Sequence, residues 1–131
     1  VVTRFEGSMI PDIIHMKTEG RGAPKAEKGT PDPSRLISGK RLTQTWNHFE
    51  GEDGRLYSGI WESTPGKVKV SYDEWEFCHI ISGEVELKKE GSRKGWLFKK
   101  GDAFIIPAGF KGTWETVKKL KKHYVILMPK A

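Results

Sequence analysis

The sequence predicts an all-β domain, a small barrel or sandwich, and three observations lead there. From Lys40 onward, short stretches rich in β-branched and aromatic residues recur at regular spacing between turn signals. No segment between them carries the helical period that a βαβ unit requires. Five Trp and six Phe in 131 residues supply enough bulk for one compact core.

Candidate strands are Arg41–Phe49, Arg55–Ser63, Lys67–Ser71, Glu74–Ser82, Glu84–Lys89, Gly95–Lys99, Ala103–Ile106, Gly112–Val117 and Leu120–Met128. Turns are expected at Glu52-Asp53-Gly54, Pro65-Gly66, Ser82-Gly83, Glu90-Gly91-Ser92, Gly101-Asp102 and Pro107-Ala108-Gly109. The first part of the chain differs. Lys17 to Ser34 is rich in Gly, Pro and charge, which argues against helix or central strand. It reads as an extended arm, with Met9 to Ile14 a short edge strand ahead of it. The expected division is therefore an arm over 1–39 and a barrel over 40–131.

Composition narrows function. The net charge is +6, but the surplus lies in Lys88–Lys89, Lys99–Lys100 and the run Lys118, Lys119, Lys121, Lys122, without the interleaved aromatics of a stacking platform. These lysines read as a solvated face, and no nucleic-acid partner is expected. No apolar run is long enough to span a bilayer, and Val1 to Ile10 does not read as a cleavable leader. The lone Cys78 fits a reducing compartment, so a cytoplasmic location is expected.

Alternation locates a candidate pocket. Over Glu74–Ser82 one face carries Glu74, Glu76, Cys78 and Ile80, and the other carries Trp75, Phe77, His79 and Ile81. The second face is nearly all apolar and should enter a core or a subunit interface, which predicts a homodimer. The first mixes carboxylates with apolar residues, as a ligand-holding barrel lumen would.

Two stretches then resemble a known family. Glu76 to Gly83 (EFCHIISG) has the Glu, six residues and Gly that close the first cupin motif. Gly101 to Gly109 (GDAFIIPAG) has the Gly, five residues, Pro, one residue and Gly that open the second. Together with TWNHFEGEDG, GIWESTPGK, YDEWEFCHIISGEV and GDAFIIPAGFKGTWE, the chain resembles small single-domain cupins of the DUF861 type. These are related to the cupin domain of (S)-ureidoglycine aminohydrolase and, more remotely, to an ethanolamine-utilisation cupin. The resemblance implies an RmlC-like double-stranded β-helix, a jelly-roll barrel.

The departures bear on chemistry. A metal-binding cupin supplies His-x-His, the Glu and a third His. Here those His positions fall on Val70 and Tyr72 (or Lys69 and Ser71) and on Gly112, so only Glu76 survives. One carboxylate without imidazoles is a poor transition-metal site, and no cofactor is expected. His15, His48, His79 and His123 stand at none of the motif positions.

A lumen without metal should be lined by Glu76, Glu74, Tyr72, Trp114 and Trp61 or Tyr57, with open space beneath Gly112. Such a lining suits a small ligand with a flat or apolar body and a cationic or hydrogen-bond-donating group. Glu76 is the candidate acid–base residue, because burial beside a second carboxylate would ease its protonation. Glu74 could instead belong to the Tyr72-Asp73-Glu74 turn and face water. Cys78 reads as a small buried hydrophobe. Replacing Glu76 by Gln is expected to leave stability level or raise it, as for a buried charge without a full partner. Three functions remain in view: a metal-independent small-molecule-binding cupin, a metal-dependent enzyme like the ureidoglycine hydrolase, and a structural or regulatory subunit with a filled barrel.

Overall fold

The two halves of the barrel share two long strands, because apolar alternation continues through both expected breaks. In the computed structural model, which describes residues 10–51 and 53–130, nine strands form one curled antiparallel sheet. They are β1 (Glu27–Gly29), β2 (Leu36–Gly39), β3 (Thr43–Gly51), β4 (Leu56–Ser63), β5 (Gly66–Ser71), β6 (Trp75–Lys89), β7 (Gly95–Lys99), β8 (Ala103–Ile106) and β9 (Lys111–Leu127). No helix occurs among the described residues. The fold is the all-β cupin barrel that the sequence leads one to expect.

Strands β6 and β9 pair along nearly their whole length, from Trp75↔Leu127 to Lys89↔Gly112. The other edge of β9 takes β5 against its first half and β4 against its second. The other edge of β6 takes β8 and then β7. The sheet turns its corner at Ser82–Gly83, where the β6–β9 register shifts. The turn expected there is a bulge inside one strand. Gly83 has φ +91°, and a Cβ at that position would overlap the Lys119 carbonyl, so only glycine fits the corner. Likewise Gly112–Val117 and Leu120–Met128 are one strand, because residues 112, 114, 116, 120, 122 and 124 keep inward parity across the gap.

The arm is less free than its composition suggests. Strand β1 pairs with β3, and β2 pairs with β5, so both belong to the sheet. Ile10 to Ile14 form no strand, and Met9 lies outside the described residues.

The core gathers Val68, Cys78, Ile80, Val85, Leu87, Ile106, Trp114 and Leu120. Each large apolar side chain buried there contributes roughly 1.5–3 kcal/mol. Its polar atoms are satisfied in a chain: Trp114 Nε1 donates to Thr116 Oγ1 (3.0 Å), which donates to Ser63 Oγ (3.1 Å), which donates to the Thr64 carbonyl (2.8 Å).

Candidate functional site

Inward side chains of β3, β4, β5, β6 and β9 leave a cavity of about 730 Å³. All six residues expected to line a lumen do so: Tyr57, Trp61, Tyr72, Glu74, Glu76 and Trp114. Glu74 belongs to the bend just before β6, as the turn alternative had it, yet it is partly buried and contributes to the wall. Trp61 and Trp114 meet edge to face, with ring centroids 5.6 Å apart and planes at 88°. The space expected beneath Gly112 is absent, since a Cβ there would overlap the Lys88 carbonyl. Gly112 instead permits close approach of β6 and β9.

Three residues that the sequence reading did not place here change the electrostatics. Lys122 is buried at 4% exposure and Glu76 at 5%. Lys122 Nζ donates to Glu76 Oε2 at 2.6 Å and to Cys78 Sγ at 3.3 Å, and the Cys78 thiol donates to the same Glu76 oxygen at 3.3 Å. Lys122 is thus no part of a solvated basic face, and Glu76 has a full partner. The ammonium also lies 4.5 Å from the Trp114 ring centroid and 4.8 Å from that of Trp61. Burial opposes its charge, yet the Glu76 carboxylate beside it favours that charge, and its pKa stands above the usual lysine range. Burial pushes the Cys78 thiol up to about 12, against the pull of Lys122, so Cys78 is a neutral thiol at pH 7. Glu76 is thus one half of a buried ion pair, not the carboxylate without a full partner that the sequence led one to expect. Both hydrogen bonds to Glu76 fall on Oε2, which leaves Oε1 without a partner among the described residues.

Tyr124 is the second addition. Its hydroxyl donates to Asn47 Oδ1 at 2.6 Å, and Gly59 leaves room for it, since a Cβ there would stand 2.6 Å from that oxygen. Burial pushes the Tyr124 phenol up to about 12, so it stays protonated. Arg41 is the third. It was expected to open a strand, yet its φ of +48° excludes it and the strand begins at Thr43. Its guanidinium stands 5.0 Å from the Trp61 centroid and 6.0 Å from that of Trp114. Burial draws its pKa down, but a guanidinium remains charged.

The His positions of a metal-binding cupin converge without imidazoles. Val70 pairs directly with Gly112, and Tyr72 follows two residues on. Among the described residues no three His, Cys, Asp or Glu side chains lie close enough to share an ion. The donors present do not fit a transition metal. His79 and His123 stack on the outer face, with ring centroids 5.4 Å apart and Nδ1 atoms 3.2 Å apart, away from Glu76.

Comparison with known proteins agrees with this frame. The model of the EutQ-like cupin domain matches residues 50–124, more than half of the chain. The chain belongs to the EutQ-like cupin family. A DUF861-family protein of unknown function from Pseudomonas syringae pv. tomato superposes with a TM-score of 0.70 at 26% identity, over 78% of this cupin and 44% of that chain. Clostridium difficile EutQ superposes with a TM-score of 0.58 at 20% identity, over 66% and 63%, and supports the fold alone. In sequence the cupin is 33% identical over 63 residues to a pyrimidine/purine nucleoside phosphorylase of Pseudomonas putida. That match covers 48% of this chain and 65% of the relative, so just under two thirds of the relative's length is spanned. No helix among the described residues is long and apolar enough to cross a membrane.

Proposed function

We propose that this cupin binds a small molecule with a flat body in its barrel, without a transition metal. The observation that carries the reading is the open cavity of about 730 Å³ walled by Tyr57, Trp61, Tyr72 and Trp114. A volume of this size accepts a ligand of up to drug-like dimensions; the partly buried rings of Tyr57, Trp61 and Tyr72 offer contact surface, with the fully buried Trp114 packed behind them. The cavity also weighs against a purely structural barrel, which would be filled by side chains. An aminohydrolase-like reaction on a metal is disfavoured, because Val70, Tyr72 and Gly112 stand where its imidazoles would be. Glu76 remains the candidate for acid–base chemistry through Oε1, with Lys122 fixing its orientation.

The test is a melting and tryptophan-fluorescence screen of flat small molecules (nucleosides, ureido compounds, benzoate, benzamidine) on the parent and on Trp61→Leu. At least one should raise the melting temperature of the parent and bind Trp61→Leu tenfold or more weakly. No binding at millimolar concentration, or equal binding to both proteins, would overturn the proposal.

A second reading is nucleoside phosphorolysis, after the name of the Pseudomonas putida relative. It is favoured by the pairing of an aromatic wall with the cations Arg41 and Lys122 in one cavity. Uridine or inosine incubated with inorganic phosphate should then release free base, and Glu76→Gln should release less. Base release no faster than in buffer would exclude this reading.

A further inference from the structure

Arg41 is held in an uncommon backbone state at the edge of the cavity. Its φ of +48° places a non-glycine residue in the left-handed region. Two features lock it there. Its amide donates to the Pro65 carbonyl at 3.1 Å, and Gly66 packs so closely that a Cβ at that position would lie 2.7 Å from Arg41 Cβ. The locked backbone aims a long cationic side chain across the faces of Trp61 and Trp114.

That cation has no acid partner among the described residues. None of their four ion pairs includes Arg41, and its buried Nε has no hydrogen-bond partner. The carboxylate favouring its charge, Glu76, is already engaged by Lys122 at 2.6 Å. Asp32 also lines the cavity, but its Oδ1 accepts from the Ser34 amide and hydroxyl. Glu76 and Lys122 pair with each other, which leaves Arg41 as the cation beside the indoles without an ion-pair partner among the described residues.

Resting on the binding proposal above, we infer that Arg41 anchors an oxyanion, so the ligand brings a phosphate or carboxylate group to the indole pair. A guanidinium offers parallel N–H donors in a planar fork that matches either group. The guanidinium carbon lies beside the two indoles, where low-dielectric surroundings strengthen charge-assisted bonds. The carboxylates Glu27, Glu50 and Glu74 also line the cavity. They admit hydroxyl or amino groups on the remainder of the ligand and disfavour a second anion there.

The experiment titrates inorganic phosphate, benzoate and uridine into the parent, Arg41→Met and Arg41→Lys, at constant ionic strength set with chloride. Readouts are melting temperature and tryptophan fluorescence. Phosphate, benzoate or both should stabilise the parent, and Arg41→Met should bind the anion roughly 10–100-fold more weakly, as loss of a charge-assisted bond implies. Arg41→Lys should fall between them, because it keeps charge but not the fork. A response to phosphate alone identifies a free or esterified phosphate, and a response to benzoate alone identifies a planar carboxylate. Equal anion binding by parent and Arg41→Met, with both folded by circular dichroism, overturns the inference. Uridine binding with no response to either anion also overturns it, while leaving the cavity reading intact. If none of the three probes binds the parent, the inference is overturned, while the cavity reading stands or falls on the wider screen above.

Discussion

Replacing Glu76 by Gln removes one charge from a buried pair and keeps its shape. In the parent, Lys122 Nζ lies 2.6 Å from Glu76 Oε2 with both side chains almost wholly buried. At an effective dielectric of about 20, that separation corresponds to roughly 6 kcal/mol of attraction, which offsets the cost of desolvating both groups. The variant keeps the desolvated ammonium and loses the anion. The amide oxygen of Gln and the neutral thiol of Cys78 remain as acceptors, but neither carries charge. Breaking one side of such a pair costs about 3–5 kcal/mol. For a chain of 131 residues this lowers the melting temperature by roughly 10–18 °C. The assay is thermal and urea denaturation of the parent, Glu76→Gln, Lys122→Met and the double variant. Each single change should be costly, and the double variant should regain about 2 kcal/mol or more over the sum of the two. An unchanged or raised melting temperature in Glu76→Gln, or a strictly additive cycle, would refute a framework pair here.

Three further outcomes are expected. Gly112→Ala should destabilise by about 3 kcal/mol, because its Cβ meets the Lys88 carbonyl; a melting temperature at the parent's value would contradict that close approach. The pKa of His123 lies below the ordinary imidazole value of about 6.5, chiefly through burial and then the neighbouring His79 and His48. The unfolded chain therefore binds this proton more readily, and stability present above pH 6.5 is lost as pH falls toward the folded value; melts from pH 8 to 5 should show a smaller loss in His123→Phe, and identical slopes would count against it. The outer face of β8, β6 and β9 carries Ile105 (55% exposed), Phe77, Val125 and Leu127 (37% exposed) side by side. We propose a homodimer through this face, to be checked by sedimentation of the parent and Phe77→Glu; a clean monomer of the parent at micromolar concentration removes the idea.

What could be read from the sequence was whatever strand parity controls. The inward run Glu76, Cys78, Ile80 and the outward run Phe77, His79, Ile81 lie on the expected sides, because a period of two leaves no other choice once one face is buried. The same parity carried Tyr57, Trp61, Tyr72 and Trp114 to one cavity. Lys122 was hidden by its neighbours. In KKLKKHY it looks solvated, yet its parity with Leu120 and Tyr124 points inward, and its partner Glu76 lies 46 residues away. Arg41 escaped for a different reason: a positive φ at a non-glycine residue leaves no compositional mark, and it depends on contacts with Pro65 and Gly66. The corner at Gly83 read as a turn because glycine after serine signals one equally well in a bulge.

The ammonium of Lys122 occupies the one ligand position that the cupin motif retains here. A cation fixed by a covalent stem cannot be chelated, diluted away or exchanged for another element. The counter-charge of Glu76 is therefore supplied by the chain itself. It is also limited to a single positive charge with no open coordination position, so any oxygen atom of a ligand must be met by hydrogen bonds rather than by a coordinate bond at that point.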